Sequence, residues 1–150
     1  MKFFAPLALA LAAVTLSSPA LAQFKKPEDA VKYRKAAFTV MGAHFGRVGA
    51  MANGKEPFDA KIAADNIAIV ETMSKLPWAG FVPGTDKGDT DALPKVWSEA
   101  ADFKAGAEKM QEAVAKLGEA GKTGNLDAIK TAFGAAGQSC KACHDNYRKD

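Results

Sequence analysis

The chain has 150 residues, of which 48% are hydrophobic and 25% charged, with 20 basic and 17 acidic side chains and a formal net charge of +3. The basic residues are spread along the sequence and alternate with acids, as on solvated helix faces, so nothing points to a nucleic-acid surface. After the first residues no stretch approaches about 18 uninterrupted apolar positions, which excludes a membrane-spanning helix in the body of the chain.

The N-terminus reads as a secretory signal. Met1-Lys2 is a short basic start, Phe3 to Leu16 is apolar apart from Pro6 and Thr15, and Ser17-Ser18-Pro19 breaks the run. Ala20-Leu21-Ala22 then offers a small-x-small cleavage site. The expectation is a signal peptide over 1–22 and a soluble exported domain over 23–150; an uncleaved anchor is the alternative. Cleavage would leave 150 − 22 = 128 residues, enough for one domain with a core, and 19 basic against 17 acidic side chains, a net +2.

Four amphipathic helices follow. The first is expected from Pro27 to Ala52, opened by Pro27, Glu28 and Asp29 and stopped by Asn53-Gly54. Val31, Phe38, Met41, Phe45 and Val48 form one stripe; Tyr33, Ala37, Val40, His44 and Met51 form another. Two partly apolar faces suit either a broad core contact or a homodimer contact, with His44 at a surface or subunit boundary. The second helix is expected from Asp59 to Leu76, with Ile62, Ile69, Met73 and Leu76 inward and Pro77 ending it. A connection rich in Gly, Pro and Asp runs from Pro77 to Leu93. It carries Trp78 and Phe81, expected at the bundle end or against a bound group.

The third helix is expected to start near Pro94. Val96, Ala100, Phe103, Ala107, Met110, Val114 and Leu117 alternate gaps of four and three, the repeat of a left-handed bundle seam. Gly121 and Gly124 mark a turn, and Asn125 is the expected N-cap of the fourth helix. Leu126, Ile129, Phe133, Ala136, Cys140, Cys143 and Tyr147 repeat the seam. The short link between the last two helices favours antiparallel neighbours. The fold class expected is all-α, an antiparallel up-down-up-down four-helix bundle.

The last helix carries Cys140-Lys141-Ala142-Cys143-His144, and C-x-x-C-H reads as covalent haem attachment. Thiols three residues apart on a helix share one face at about 5–6 Å between Cβ atoms, a separation suited to two vinyl groups on one porphyrin edge. His144, one turn past Cys140, can place an imidazole nitrogen under the iron. Both thiols lie on the core-facing stripe, so the haem is expected inside the bundle, and its two propionates would bring the net charge near zero. A disulfide between the thiols is one alternative in an exported protein. Zinc is another, with His44, the only other histidine, as a possible fourth donor.

With these residues in place, the chain resembles cytochrome c′, the class II c-type cytochromes. The resemblance rests on Gln23 to Arg47, on Leu76-Pro77-Trp78-Ala79-Gly80-Phe81, on Ser139 to Arg148, and on a haem motif at the C-terminal end of a four-helix chain. It implies a periplasmic, usually homodimeric protein with one haem c per chain, five-coordinate high-spin iron, and binding of NO and CO with poor binding of O₂. It also implies thioethers at Cys140 and Cys143, His144 as the proximal metal ligand, and Arg148 near the proximal face. Arg34, with Lys35 beside it, would lie near the propionates, and Phe38 would cover the open iron face. Arg34 and Phe38 are four apart, so one helix face can supply both. A site roofed by Phe38 offers no hydrogen-bond donor and disfavours O₂ relative to NO.

NO scavenging or transport without enzyme activity is the leading expectation, with electron-transfer capability toward redox partner proteins. The rival expectation is a six-coordinate, low-spin electron carrier with Met41, one turn past Phe38, as second axial ligand. A peroxidase would need a distal acid–base group, and no candidate stands beside Phe38 on its stripe.

Overall fold

The structure, a computed structural model, describes residues 23–149. The expected signal peptide, residues 1–22, lies outside the described residues. Helix α1 spans Pro27–Ala52, with Pro27 in its first turn and Glu28 and Asp29 at the positive end of its dipole. It stops at Asn53, whose backbone N–H and side-chain Nδ2 both donate to the Gly49 carbonyl, and Gly54 takes up a φ of 69°.

Helix α2, Ala60–Met73, starts at Asp59, whose Oδ1 accepts from the Ile62 N–H at 2.8 Å. It ends before the expected boundary at Leu76. Ser74 is buried, donates its hydroxyl to the Glu71 carbonyl, and offers its own carbonyl to Trp78 Nε1 at 2.7 Å. The chain then passes through a 3₁₀ turn at Pro77–Gly80. The inward face of α2 also differs from the expected one. Ile62, Ile69 and Leu76 are 52%, 37% and 37% exposed, while Ala63, Asn66, Ile67 and Val70 are buried. Helix α2 carries two apolar stripes, and the one with Ile67 faces glycines that let the helices close up. A Cβ on Gly121 would stand 3.0 Å from Ile67 Cδ1, and one on Gly118 would stand 2.7 Å from Glu71 Oε2.

The expected third helix is broken. A single turn, α3 (Lys95–Ser98), is separated from α4 (Ala100–Thr123) by Glu99, which leaves the helical region at φ −117° and ψ 42°. Val96 is buried, but Ala100 is exposed and drops out of the seam; Ala107, Met110, Val114 and Leu117 keep it. Gly121 lies inside α4 rather than in the turn. Gly124, at φ 63°, makes the turn, and Asn125 caps α5 (Leu126–Tyr147), its Oδ1 accepting from the Ala128 N–H at 3.0 Å.

The four long helices form a ring in which α1 and α4 each pack against both α2 and α5. Close approaches give the directions. Gly49 meets Phe133 and Gly137 meets Phe45, so α1 and α5 run in opposite senses. Gly118, Gly121 and Gly124 meet Glu71, Ile67 and Ala60 in reverse order, so α2 and α4 do likewise. The result is the expected up-down-up-down four-helix bundle. Val48, Ile67, Val70, Val114, Leu117 and Ile129 fill its centre, each at most 2% exposed, and full burial of each such side chain contributes about 1.5–3 kcal/mol. Among the described residues no helix is long and apolar enough to cross a membrane.

Candidate cofactor-binding site

At the end of the bundle distant from the α4–α5 turn, α1, α4, α5 and the Pro77–Leu93 connection enclose a cavity of about 480 Å³. Ligand pockets fall in the range of roughly 300–1,000 Å³. Helix α5 and its C-cap contribute Cys140, Cys143, His144, Tyr147 and Arg148; α1 contributes Arg34, Lys35, Phe38, Met41 and Phe45; the connection adds Trp78, Phe81 and Thr90. The seven residues expected around a haem, Arg34, Lys35, Phe38, Cys140, Cys143, His144 and Arg148, therefore border one space.

The two thiols are free and half-buried. Burial raises the pKa of both, with the neighbouring Cys143 adding to the effect at Cys140, so they are held as thiols near neutral pH. Gly106 on α4 faces Cys143 so closely that a Cβ there would stand 3.1 Å from its Sγ. The His144 imidazole is pushed below its usual pKa, first by burial and then by the Arg148 charge. It is thus kept neutral, the form that ligates a metal. Arg148 Nη1 lies 3.5 Å from His144 Nδ1, a long contact that orients the pair only weakly.

Aromatic rings line the wall around Phe38. Its ring meets Trp78 edge-on at 5.8 Å between centroids and Phe81 at 6.3 Å. Phe81 and Trp78 stack at 6.1 Å, and Phe103 joins both. Thr39, the nearest hydroxyl along α1, donates back to the Lys35 carbonyl at 2.8 Å. Met41 is 8% exposed and also borders the cavity.

Arg34 is 2% exposed, and no carboxylate pairs with it among the described residues. Burial lowers its pKa. Its four terminal N–H groups are all taken: Nη1 donates to the Gly80 carbonyl and Thr85 Oγ1, both at 2.8 Å, and Nη2 to the Thr85 carbonyl and Thr90 Oγ1, both at 2.7 Å. Lys35 pairs with Asp89 at 2.8 Å. Thr85 is fully buried and carried no signal in the sequence, because its partner lies 51 residues away.

His44 stands apart from the cavity. Its Nδ1 lies 2.7 Å from Asn66 Oδ1, so it joins α1 to α2 instead of lying free at a surface. With His44 engaged there, and no cluster of three metal-ligating side chains among the described residues, a zinc site has no second pair of donors. Two unjoined thiols on one helix face, a neutral imidazole one turn on and apolar walls around them fit a haem attached through its edge.

Comparison with known proteins agrees. A family model described as Cytochrome C′ matches residues 29–148. Cytochrome c′ of Rubrivivax gelatinosus is 59% identical over 128 residues, 85% of this chain and 99% of its own length. That of Alcaligenes xylosoxydans xylosoxydans is 50% identical over 127 residues, 85% of this chain and 98% of its own length. The crystal structure of the Rubrivivax gelatinosus protein gives a TM-score of 0.83 at 59% identity, covering 85% of this chain and 100% of that one. A nitric oxide complex of a leucine-to-alanine variant of cytochrome c prime from Alcaligenes xylosoxidans gives 0.80 at 49% identity, covering 85% and 99%. A carbon monoxide-bound leucine-to-glycine variant of the same protein also gives 0.80 at 49% identity, covering 85% and 100%. The chain belongs to the cytochrome c′ family.

Proposed function

We propose that this protein is an exported, periplasmic haem c protein that binds NO and CO, acting in NO scavenging or transport and not as an enzyme. Cys140 and Cys143 would carry the thioethers and His144 would ligate the iron. A haem bound there would supply an iron able to take a diatomic gas. The chain's own residues do the selecting. Phe38, Trp78 and Phe81 present carbon to the incoming gas and keep water out. The hydroxyl of Thr39, beside Phe38 on α1, is already donating to the Lys35 carbonyl. Bound O₂ gains from a hydrogen-bond donor and bound NO or CO depends on one far less, so this wall favours NO and CO. Lys35 and Arg148 place positive charge along the cavity rim, which suits the propionates, whereas the terminal N–H groups of Arg34 are already donated to Gly80, Thr85 and Thr90.

The observation that carries this reading is the convergence of both thiols, His144 and the Phe38 wall on one cavity. The NO and CO complexes of the Alcaligenes xylosoxidans relative support it. The test is CO binding by the ferrous protein together with the ferric absorption spectrum. We expect a high-spin spectrum and faster CO association in Phe38→Ala; an unchanged rate would remove Phe38 from the role of lid.

A second reading has one observation in its favour: Met41 is buried and borders the same cavity. As a second axial ligand it would make the protein a low-spin electron carrier. A methionine–iron charge-transfer band that disappears in Met41→Leu would establish that reading and displace the first.

Export rests on residues 1–22, and the Rubrivivax gelatinosus relative, matched over 99% of its length, aligns with 128 residues, the number left after Ala22. Mass spectrometry of the periplasmic fraction should find a chain beginning at Gln23 and carrying one haem. We further propose a homodimer, supported by the exposed apolar side chains of Val40, Ile62, Ile69 and Leu76.

A further inference from the structure

We propose that Arg34 is a positioning residue that sets how widely the gas-binding cavity opens, by clamping the Pro77–Leu93 connection onto α1; the proposal rests on the gas-binding reading of that cavity. The guanidinium reaches three separated points of the connection at once, Gly80, Thr85 and Thr90. Each acceptor is itself fixed. Thr85 Oγ1 donates to the Val82 carbonyl at 2.7 Å, and Thr90 Oγ1 also accepts from the Ala92 N–H at 3.1 Å. Gly80 packs so tightly on α1 that a Cβ would stand 2.7 Å from the Ala30 carbonyl oxygen.

The clamp reaches the cavity through one ring. Arg34 Cζ lies 4.5 Å from the centroid of Phe81, in cation–π range. Phe81 stacks on Trp78, and both rings abut Phe38, one turn beyond Arg34 on the same helix. Guanidinium, connection and aromatic wall thus form a closed circuit that begins and ends on α1. Arginine is required because two terminal nitrogens with two N–H groups each span the three acceptor points; a single ammonium cannot. With no carboxylate pairing, the bonds to neutral oxygens are the cation's compensation, and losing one leaves a buried charged donor unsatisfied.

The test uses the haem-loaded protein with Arg34→Lys, Thr90→Val, Phe38→Ala and the double variant Thr90→Val/Phe38→Ala. Hydrogen exchange at the Phe81 and Thr90 amides, which donate to Trp78 and Gly88 and not to the Thr90 hydroxyl, should accelerate about tenfold in Thr90→Val, the effect of one lost charge-assisted bond on local opening. CO association to the ferrous protein should rise several-fold in Thr90→Val and Arg34→Lys, and Thr90→Val should add nothing once Phe38 is alanine. That non-additivity marks an action through the Phe38 wall, which a general loss of stability would not produce. Should Arg34→Lys fail to fold, Thr90→Val carries the test alone. Unchanged exchange, or rate effects that simply add, would overturn the clamp while leaving gas binding intact. A wild-type ferrous protein that takes up no CO would overturn the gas-binding reading itself and with it any role for the clamp in access.

Discussion

Single atoms decide how closely this bundle packs, and its glycines show it most directly. Gly80 sits where a side chain has no room: a Cβ would meet the Ala30 carbonyl oxygen at 2.7 Å and Arg34 Cβ at 2.9 Å. The first obstacle is helix backbone and the second belongs to a residue pinned by four hydrogen bonds, so neither can swing away. Gly80→Ala should therefore destabilise the protein by about 1–3 kcal/mol, the range for overpacking a filled interior. Gly134 is the matching control. It lies inside α5 with nothing within 4 Å of an added Cβ, and its φ is not in the left-handed region. Gly134→Ala should stabilise by about 0.5–1 kcal/mol, because alanine has less backbone entropy to lose in a helix. Urea denaturation of both variants checks the pair; equal effects would show that close approach is not what keeps Gly80 free of a side chain.

Helix ends and helix faces are the next scale. Asn125 begins α5 with a side-chain bond to the Ala128 N–H, and α5 carries both thiols and His144. Asn125→Ala should cost about 1 kcal/mol, seen as a lower thermal midpoint with an unchanged visible spectrum, since the cap is at the far end of the helix from the cavity. A spectral change would mean that fraying travels the length of α5. At this scale the sequence was a reliable guide wherever a local rule had no competitor. The bounds of α1, the Asn125 cap, the α4–α5 seam and the thiol–imidazole spacing were all legible from neighbours a few residues apart. Helix α2 was not, because Ile62 and Ile69 compete with Ala63 and Ile67 for the interior, and the winner is set by Gly118 and Gly121 on another helix. The break at Glu99 and the bonds from Arg34 to Thr85 and Thr90 were equally hidden. They depend on contacts tens of residues apart, for which periodicity has no signal.

At the scale of the whole molecule, an apolar stripe lies exposed among the described residues. Ile62 and Ile69 stand seven residues apart on the outer side of α2, a heptad spacing, and Leu76 follows seven residues later, just past the end of the helix. Val40 extends it onto α1, one turn before His44. The His44–Asn66 contact joins the two helices at that level, between Ile62 and Ile69. Scattered exposed apolar residues need no explanation, but a repeat along one line, continued on the neighbouring helix, suits contact with a second copy of the same surface. Ile69→Lys should then convert a dimer to a monomer by sedimentation, since two symmetry-related ammonium groups would be brought into the contact. Because Ile69 is outside the core, the monomer's own unfolding free energy should change by no more than about 0.5 kcal/mol, and the CO rate should be unaffected, as Ile69 does not border the cavity. A wild-type protein that sediments as a monomer, or an Ile69→Lys variant that sediments as a dimer, would assign that stripe to solvent. The four-helix bundle and its cavity would then be complete in one chain.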